Sequence, residues 1–304
     1  MSISVFESKT PLPNPDITAR AKGLLGFEGL YLRVSKQLQL LINLDRVEAW
    51  SKQHHGKRLA LVDVLRDQYP FAIFYGDVGT GKSAMAEAIG NRIAKDAKIE
   101  DSMLFKLSNR VRGTGSVGEM GTLISEAFAE IKKSIGKDRR AILIIDEGDS
   151  LAASRTQEQS HHEDKVAVNT LIQAIDELRA SKGRIFTILC TNRMSVLDPA
   201  IQRRAAVVEH FRRPNAGQRK DLFDMDLADL GLTQPQIASL VASTGALAGK
   251  PSWTYSDIRT RLYPAAVALA FPDTGLTFAH FEQALQLTSP SPPLAHGPRS
   301  PPTI

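Results

Sequence analysis

The sequence predicts an α/β protein, in which a parallel sheet flanked by helices carries a glycine-rich loop and is followed by an all-helical C-terminal domain. Three observations predict it. The apolar run from Phe71 to Tyr75 passes directly into Gly76-Asp77-Val78-Gly79-Thr80-Gly81-Lys82-Ser83, and helix-forming residues follow from Ala84. Ala141 to Ile145 is apolar without alternation, as suits a strand buried on both faces of a parallel sheet, and it closes on Asp146-Glu147. Beyond Pro214 the strand patterns stop and only helical periodicity remains.

The strand, loop and helix at 71–84 have the chemistry of a phosphate cradle. Gly76 and Gly81 let the backbone turn tightly, so that its N–H groups and the positive end of the next helix converge on one anionic group. Lys82 adds a point charge for the outer phosphates, and Ser83 offers a hydroxyl to Mg2+. An acidic site is then expected at the carboxyl end of a neighbouring strand, where open α/β sheets bind their ligands. Asp146 and Glu147 stand at such an end: Asp146 as the magnesium holder, Glu147 as the residue that polarises an attacking water.

Composition sets the outer limits. The chain has 304 residues, 42% of them apolar, enough for one large domain or two modest ones with a real core. A net charge of +5 is the balance of 38 basic and 33 acidic residues and says little about an acidic partner. The lone Cys190 excludes a disulfide framework and a cysteine metal knuckle. No apolar stretch reaches membrane-spanning length, and the polar start lacks the regions of a secretory signal, so the cytoplasm is the expected compartment.

Residues 1–22, with Pro11, Pro13 and Pro15, read as an extended arm that orders only against something else. The nucleotide-binding domain is expected over 23–214. It opens on Gly23-Leu-Leu-Gly26-Phe27, a candidate lip around an adenine ring. The spacing of Leu30, Val34, Leu38 and Leu41 then predicts a helix running to about Trp50. After the loop, a helix to about Lys95 leads to a strand at 103–107. Gly113-Thr-Gly115-Ser116-Val117-Gly118 matches the dinucleotide pattern, but the acidic residue expected some twenty positions on is missing, and the phosphate loop has already taken the site. The segment therefore reads as a loop that works on a partner, preceding a helix over 119–135.

His161-His162 and His54-His55 are adjacent pairs, unlike the i, i+4 histidines that meet one metal. Ala167, Leu171, Ala174, Ile175 and Leu178 mark a helix, and 184–190 a buried strand with Asn192 at its carboxyl end. An amide at that position can hold the hydrolytic water or sense the terminal phosphate. Leu197 to Arg204 reads as a short helix with proline in its first turn. It ends on Arg203-Arg204, either of which could reach the nucleotide of an adjacent subunit. Helices at about 218–230, 235–243, 256–271 and 277–287 make up a lid domain over 215–288, in which Arg259, in preference to Arg261, returns a cation to the phosphates. Residues 289–304 hold a run of prolines and are expected to be disordered.

Phosphate loop, Asp-Glu strand, Thr191-Asn192 strand, paired arginines and helical lid, in that order over about 24–288, resemble the AAA+ ATPases. Within them, Ile145-Asp-Glu-Gly-Asp-Ser-Leu-Ala-Ala-Ser-Arg155, with 168–178 and Thr191-Asn192, is similar to the pachytene-checkpoint ATPases that remodel HORMA-domain proteins. Short bacterial members accompany HORMA proteins and second-messenger synthases in CBASS anti-phage operons. The resemblance implies an AAA+ P-loop core with a helical lid and a homo-oligomeric ring, usually a hexamer. It also implies ATP and Mg2+ held by Gly76 to Ala84, Asp146 and Arg259, and catalysis by Glu147, Asn192, Arg203 and Arg204. Ser116-Val117-Gly118-Glu119 takes the place of the pore loop, with Ser116 where the family carries an aromatic. The implied partner is a HORMA-domain protein, linked through it to a second-messenger synthase, with no membrane. The alternative, a nucleic-acid-associated AAA+ switch, has Arg110 and Arg112 in its favour and predicts salt-dependent DNA binding.

Overall fold

The computed structural model describes residues 5–96, 101–107, 119–136, 139–149, 162–181, 183–247 and 249–294. In chain order the sheet-bearing part comprises β1 (Phe6–Leu12), α1 (Pro15–Ala21), α2 (Phe27–Ile42), α3 (Leu44–His55), α4 (Leu61–Arg66), β2 (Phe71–Gly76), α5 (Lys82–Asp96), β3 (Ser102–Leu107), α6 (Glu119–Ile135), β4 (Arg140–Ile145), α7 (His162–Leu178), β5 (Ile185–Thr191), α8 (Pro199–Gln202) and β6 (Val207–Phe211). The helical part follows with α9 (Ala216–Asp226), α10 (Gln234–Ser243), α11 (Tyr255–Asp257), a π-helical stretch Ile258–Leu262, α12 (Tyr263–Ala270) and α13 (Phe278–Leu287). The strands pair in the order β1-β3-β4-β5-β2-β6. β3, β4, β5 and β2 run parallel, in a register that sets Ile145 beside Leu189 and Tyr75 beside Thr191. The carboxyl ends of β2, β4 and β5 therefore share one edge.

The apolar runs behave as buried parallel strands must. Phe71 to Phe74, Leu143 to Ile145 and Ile185 are fully buried, and of these Phe71, Ile73, Leu143, Ile145 and Ile185 form one core with Ile124, Ile131, Leu171, Ile175 and Leu178 from α6 and α7. A second core gathers Leu222, Phe223, Leu240, Ile258, Leu262 and Phe281 in the helical part. The compact units divide differently from the expected domains. One comprises residues 1–23, 27–75 and 83–210; the other comprises 24–26, 76–82 and 211–304, so the phosphate loop clusters with the helical part.

Three expectations need correction. From residue 5 the expected arm forms a strand and a helix: β1 pairs antiparallel with β3, Phe6 to Leu107 and Leu12 to Ser102, and Asn14 caps α1 by accepting from Asp16 N and Ile17 N. Proline suits this strand because it lies at the sheet edge, where an N–H need not join a ladder. The helix predicted from Leu30 to Trp50 is two helices, broken at Asn43, whose amide turns back to Gln39 O while its Oδ1 accepts from Arg140. Of the tail expected to be disordered over 289–304, residues 289–294 are described, and there Ser291 and Leu294 find hydrogen-bond partners in their own unit. Among the described residues, no helix is long and apolar enough to cross a membrane.

Candidate functional site

The loop from Gly76 to Lys82 is built of close approaches that demand glycine. Gly76 has φ +147°, and a Cβ there would lie 2.0 Å from Phe211 O. Gly79 has φ +78°, its side-chain position is filled by Thr254 and Ser256, and its carbonyl accepts from Ser256 N at 3.1 Å. Inside the turn, Thr80 Oγ1 donates to Asp77 O at 2.8 Å. Lys82 is buried, and its Nζ donates to Gly76 O and Asp77 O, both at 2.9 Å. The ammonium is thus held in the bend of its own loop. Val78 at the loop tip is exposed, Ser83 is half-buried at the start of α5, and Ala84 is exposed beside it.

At the tips of β4 and β5 the chain arranges a second set of groups. Asp146 Oδ1 accepts from Glu147 N at 3.0 Å. Glu147 is exposed and has φ +52°, a left-handed conformation uncommon for a residue with a side chain and concentrated at functional sites. Gly148 N donates to Cys190 O at 2.7 Å and so ties the end of β4 to β5. Asp149 then accepts from Thr191 Oγ1 at 3.3 Å and Asn192 N at 3.5 Å, with Arg193 3.9 Å away. Asp149 fixes the turn that presents Asn192. Its only signal in the sequence is that of an acid three residues after Asp146 at a strand end.

The paired arginines have different surroundings. Arg204 donates from Nε and Nη2 to the two carboxylate oxygens of Asp176 at 2.6 and 2.9 Å, donates from Nη1 to Ala200 O at 2.7 Å, and lies over the Tyr69 ring at 5.4 Å. The hydrogen bond from Arg204 holds the Asp176 carboxyl below the usual carboxylate range. Arg203 is exposed, with no side-chain partner among the described residues. In the helical unit Arg259 is held by Asp226 at 2.7 and 2.8 Å. Arg261 lies 3.7 Å from Asp257 and donates to Ser289 O at 3.2 Å.

Ser116, Val117, Gly118, Arg110 and Arg112 lie outside the described residues, and Glu119 opens α6. Among the described residues no group of three or more His, Cys, Asp or Glu is placed to hold a metal. The loop nonetheless fits a polyphosphate: a buried lysine, a following helix N-terminus, and glycines where the backbone must turn.

Residues 72–213 match the model of the ATPase family associated with various cellular activities (AAA). Over 289 residues, 95% of this chain and 97% of the relative, the chain is 57% identical to CD-NTase-associated protein 6 of Escherichia coli (strain KTE188). It superposes with a TM-score of 0.86 and 36% identity on a chain of the E. coli MS115-1 HORMA:CdnC:Trip13 complex, covering 97% of this chain and 100% of that one. Rhizobiales Trip13 gives a TM-score of 0.70 and 34% identity over 95% of this chain and 100% of its own.

Proposed function

This chain belongs to the AAA ATPase family, and from that premise we propose that it is an ATP-driven remodeller of a HORMA-domain signalling protein, working within a CBASS anti-phage system. One observation carries the reading: the chain is similar over nearly its whole length to one solved together with a HORMA protein and CdnC. The nearly full-length kinship with CD-NTase-associated protein 6 supports the same setting. The working form is a homo-oligomeric ring, a hexamer, and the HORMA protein links it to a second-messenger synthase.

ATP with Mg2+ supplies the phosphoanhydride whose hydrolysis drives the cycle. Gly76 to Ala84 receive the phosphates on backbone N–H groups, and Lys82 exchanges its loop carbonyls for them. Ser83 and Asp146 would hold the metal. Glu147, turned outward by its left-handed backbone, takes a proton from the attacking water, and Asn192, fixed by Asp149, orients that water. Arg203 reaches the nucleotide of the neighbouring copy, and Arg204, clamped to Asp176, sets the position of the turn that carries it. Arg259 leaves Asp226 for the phosphates when the lid engages them. Ser116 to Glu119 form the pore loop, with Val117 supplying the grip.

The test is steady-state ATP hydrolysis by the purified chain, alone, with a HORMA-domain protein encoded beside it, and with DNA. Stimulation by the HORMA protein, lost on Val117→Gly while basal turnover persists, is the expected result. Stimulation by DNA alone would replace this reading with the nucleic-acid switch.

A further inference from the structure

The phosphate loop contains a carboxylate, Asp77, whose charge has the wrong sign for a cradle of phosphates. The Asp77 side chain is 11% exposed. Arg213 Nε donates to Asp77 Oδ2 at 2.6 Å, and Leu294 N donates to Oδ1 at 3.3 Å. Arg213 is itself fixed, with Nη1 donating to Ser252 O at 2.6 Å and Nη2 to Ser291 O at 3.0 Å. Ser291 is anchored in turn, its hydroxyl and its backbone N–H both donating to Asp257 Oδ1, at 2.5 and 3.2 Å. A chain of charge-assisted bonds thus runs from the phosphate loop through Arg213 to the segment Ser289–Leu294, all within one compact unit.

We propose that Arg213 is a positioning residue of the nucleotide site: it neutralises the carboxylate built into the phosphate loop, and the segment Ser289–Leu294 acts as a strap that locks the pair. Nucleotide affinity then depends on the C-terminal strap. The inference rests on the reading of Gly76 to Ser83 as the nucleotide site. A buried charge stripped of its partner is strongly unfavourable. With Arg213 removed, the Asp77 carboxylate is left without its cation in a loop whose N–H groups and lysine must face an anion, and like charges at short range repel. The Asp77 carbonyl also holds Lys82 and Thr80, so displacement of Asp77 disturbs both. Removing both charges removes the repulsion, and this separates charge neutralisation from simple propping: a prop is not restored by deleting its partner.

The experiment measures the dissociation constant of a fluorescent ATP analogue for the full chain, Arg213→Ala, the double variant Asp77→Asn/Arg213→Ala, and a chain ending at Thr288, with thermal melts alongside. Arg213→Ala should bind about tenfold more weakly, the double variant should return to within about threefold of the unaltered chain, and the truncated chain should fall between them. Equal affinity of Arg213→Ala and the unaltered chain would overturn the proposal, as would a double variant no tighter than Arg213→Ala. If Arg213→Ala does not fold, the truncation decides: unchanged affinity and unchanged dissociation rate remove the strap. An unaltered chain that binds no nucleotide defeats the reading of the loop itself, a result distinct from all of these.

Discussion

Two sets of charged groups, one at the strand tips of the first compact unit and one around the phosphate loop of the second, are treated in opposite ways. At the tips of β4 and β5, and just after α8, the groups assigned to chemistry face outward: Glu147 and Arg203 are exposed. In the unit that joins the phosphate loop to the helical part, charges are satisfied from within, as with Lys82 on its own loop carbonyls, Asp77 on Arg213, and Arg259 on Asp226. The difference separates groups that act on something brought to them from groups that hold the shape that receives it. Mutations of the first kind should abolish turnover and leave the fold; mutations of the second kind should change affinity or stability first.

Neighbouring residues give the sharpest test. Arg203→Ala should lower kcat by about 10³ or more in the assembled ring, the range measured for arginine fingers, with the melting temperature unchanged. Arg204→Ala leaves Asp176 without its bidentate partner, so it should lower the melting temperature as well as the rate. If the two variants swap these signatures, the exposure of Arg203 has been misread. Next in size, Glu147→Gln should reduce kcat by about 10²–10⁴ with nucleotide binding intact. Its glutamine keeps the left-handed backbone, so loss of binding there would mean that residue 147 shapes the site instead of acting in it.

Arg259 is the residue on which the comparison is most exposed to failure, since it is assigned to the phosphates and yet is paired at home. Arg259→Ala should cost about 1–2 kcal/mol of lid stability through the stranded Asp226, and the conservative Asp226→Asn distinguishes the roles. If Arg259 does exchange Asp226 for phosphate, Asp226→Asn should leave ATP affinity equal or tighter, while Arg259→Ala weakens it severalfold. Equal weakening in both variants would confine Arg259 to the lid.

What could be read from the sequence follows from how local each signal is. Phe71 to Ser83, and Ala141 to Glu147, carry strand, turn and chemistry within a few adjacent residues, and the structure shows those strands and that turn where they were expected. Long-range pairing left no comparable trace. Nothing near Arg213 announces Asp77, 136 positions away, and Arg204 was indistinguishable from Arg203 until Asp176 was placed beside it. The edge strand β1 is hidden in the sequence by Pro11, which would break a central strand but not an edge one. The order of 289–294 comes from a serine and a backbone N–H meeting buried carboxylates, which composition does not encode.

The smallest effect expected concerns acid. Arg204 holds Asp176 below its ordinary value, so the folded chain binds the proton less readily than the unfolded one. Its stabilisation is therefore complete above the unfolded value of about 3.9 and fades as pH falls through the lower folded one. The Asp176 side chain is 34% exposed, so the pair contributes no more than about 1 kcal/mol after solvent screening. In Asp176→Asn the melting temperature between about pH 4 and pH 2 should fall less steeply than in the unaltered chain, while at pH 7 the variant melts slightly lower. Parallel acid limbs in the two proteins would mean that Asp176 does not pair with Arg204 in solution. Arg204 would then be held no better than Arg203, and the contrast between neighbouring arginines would disappear.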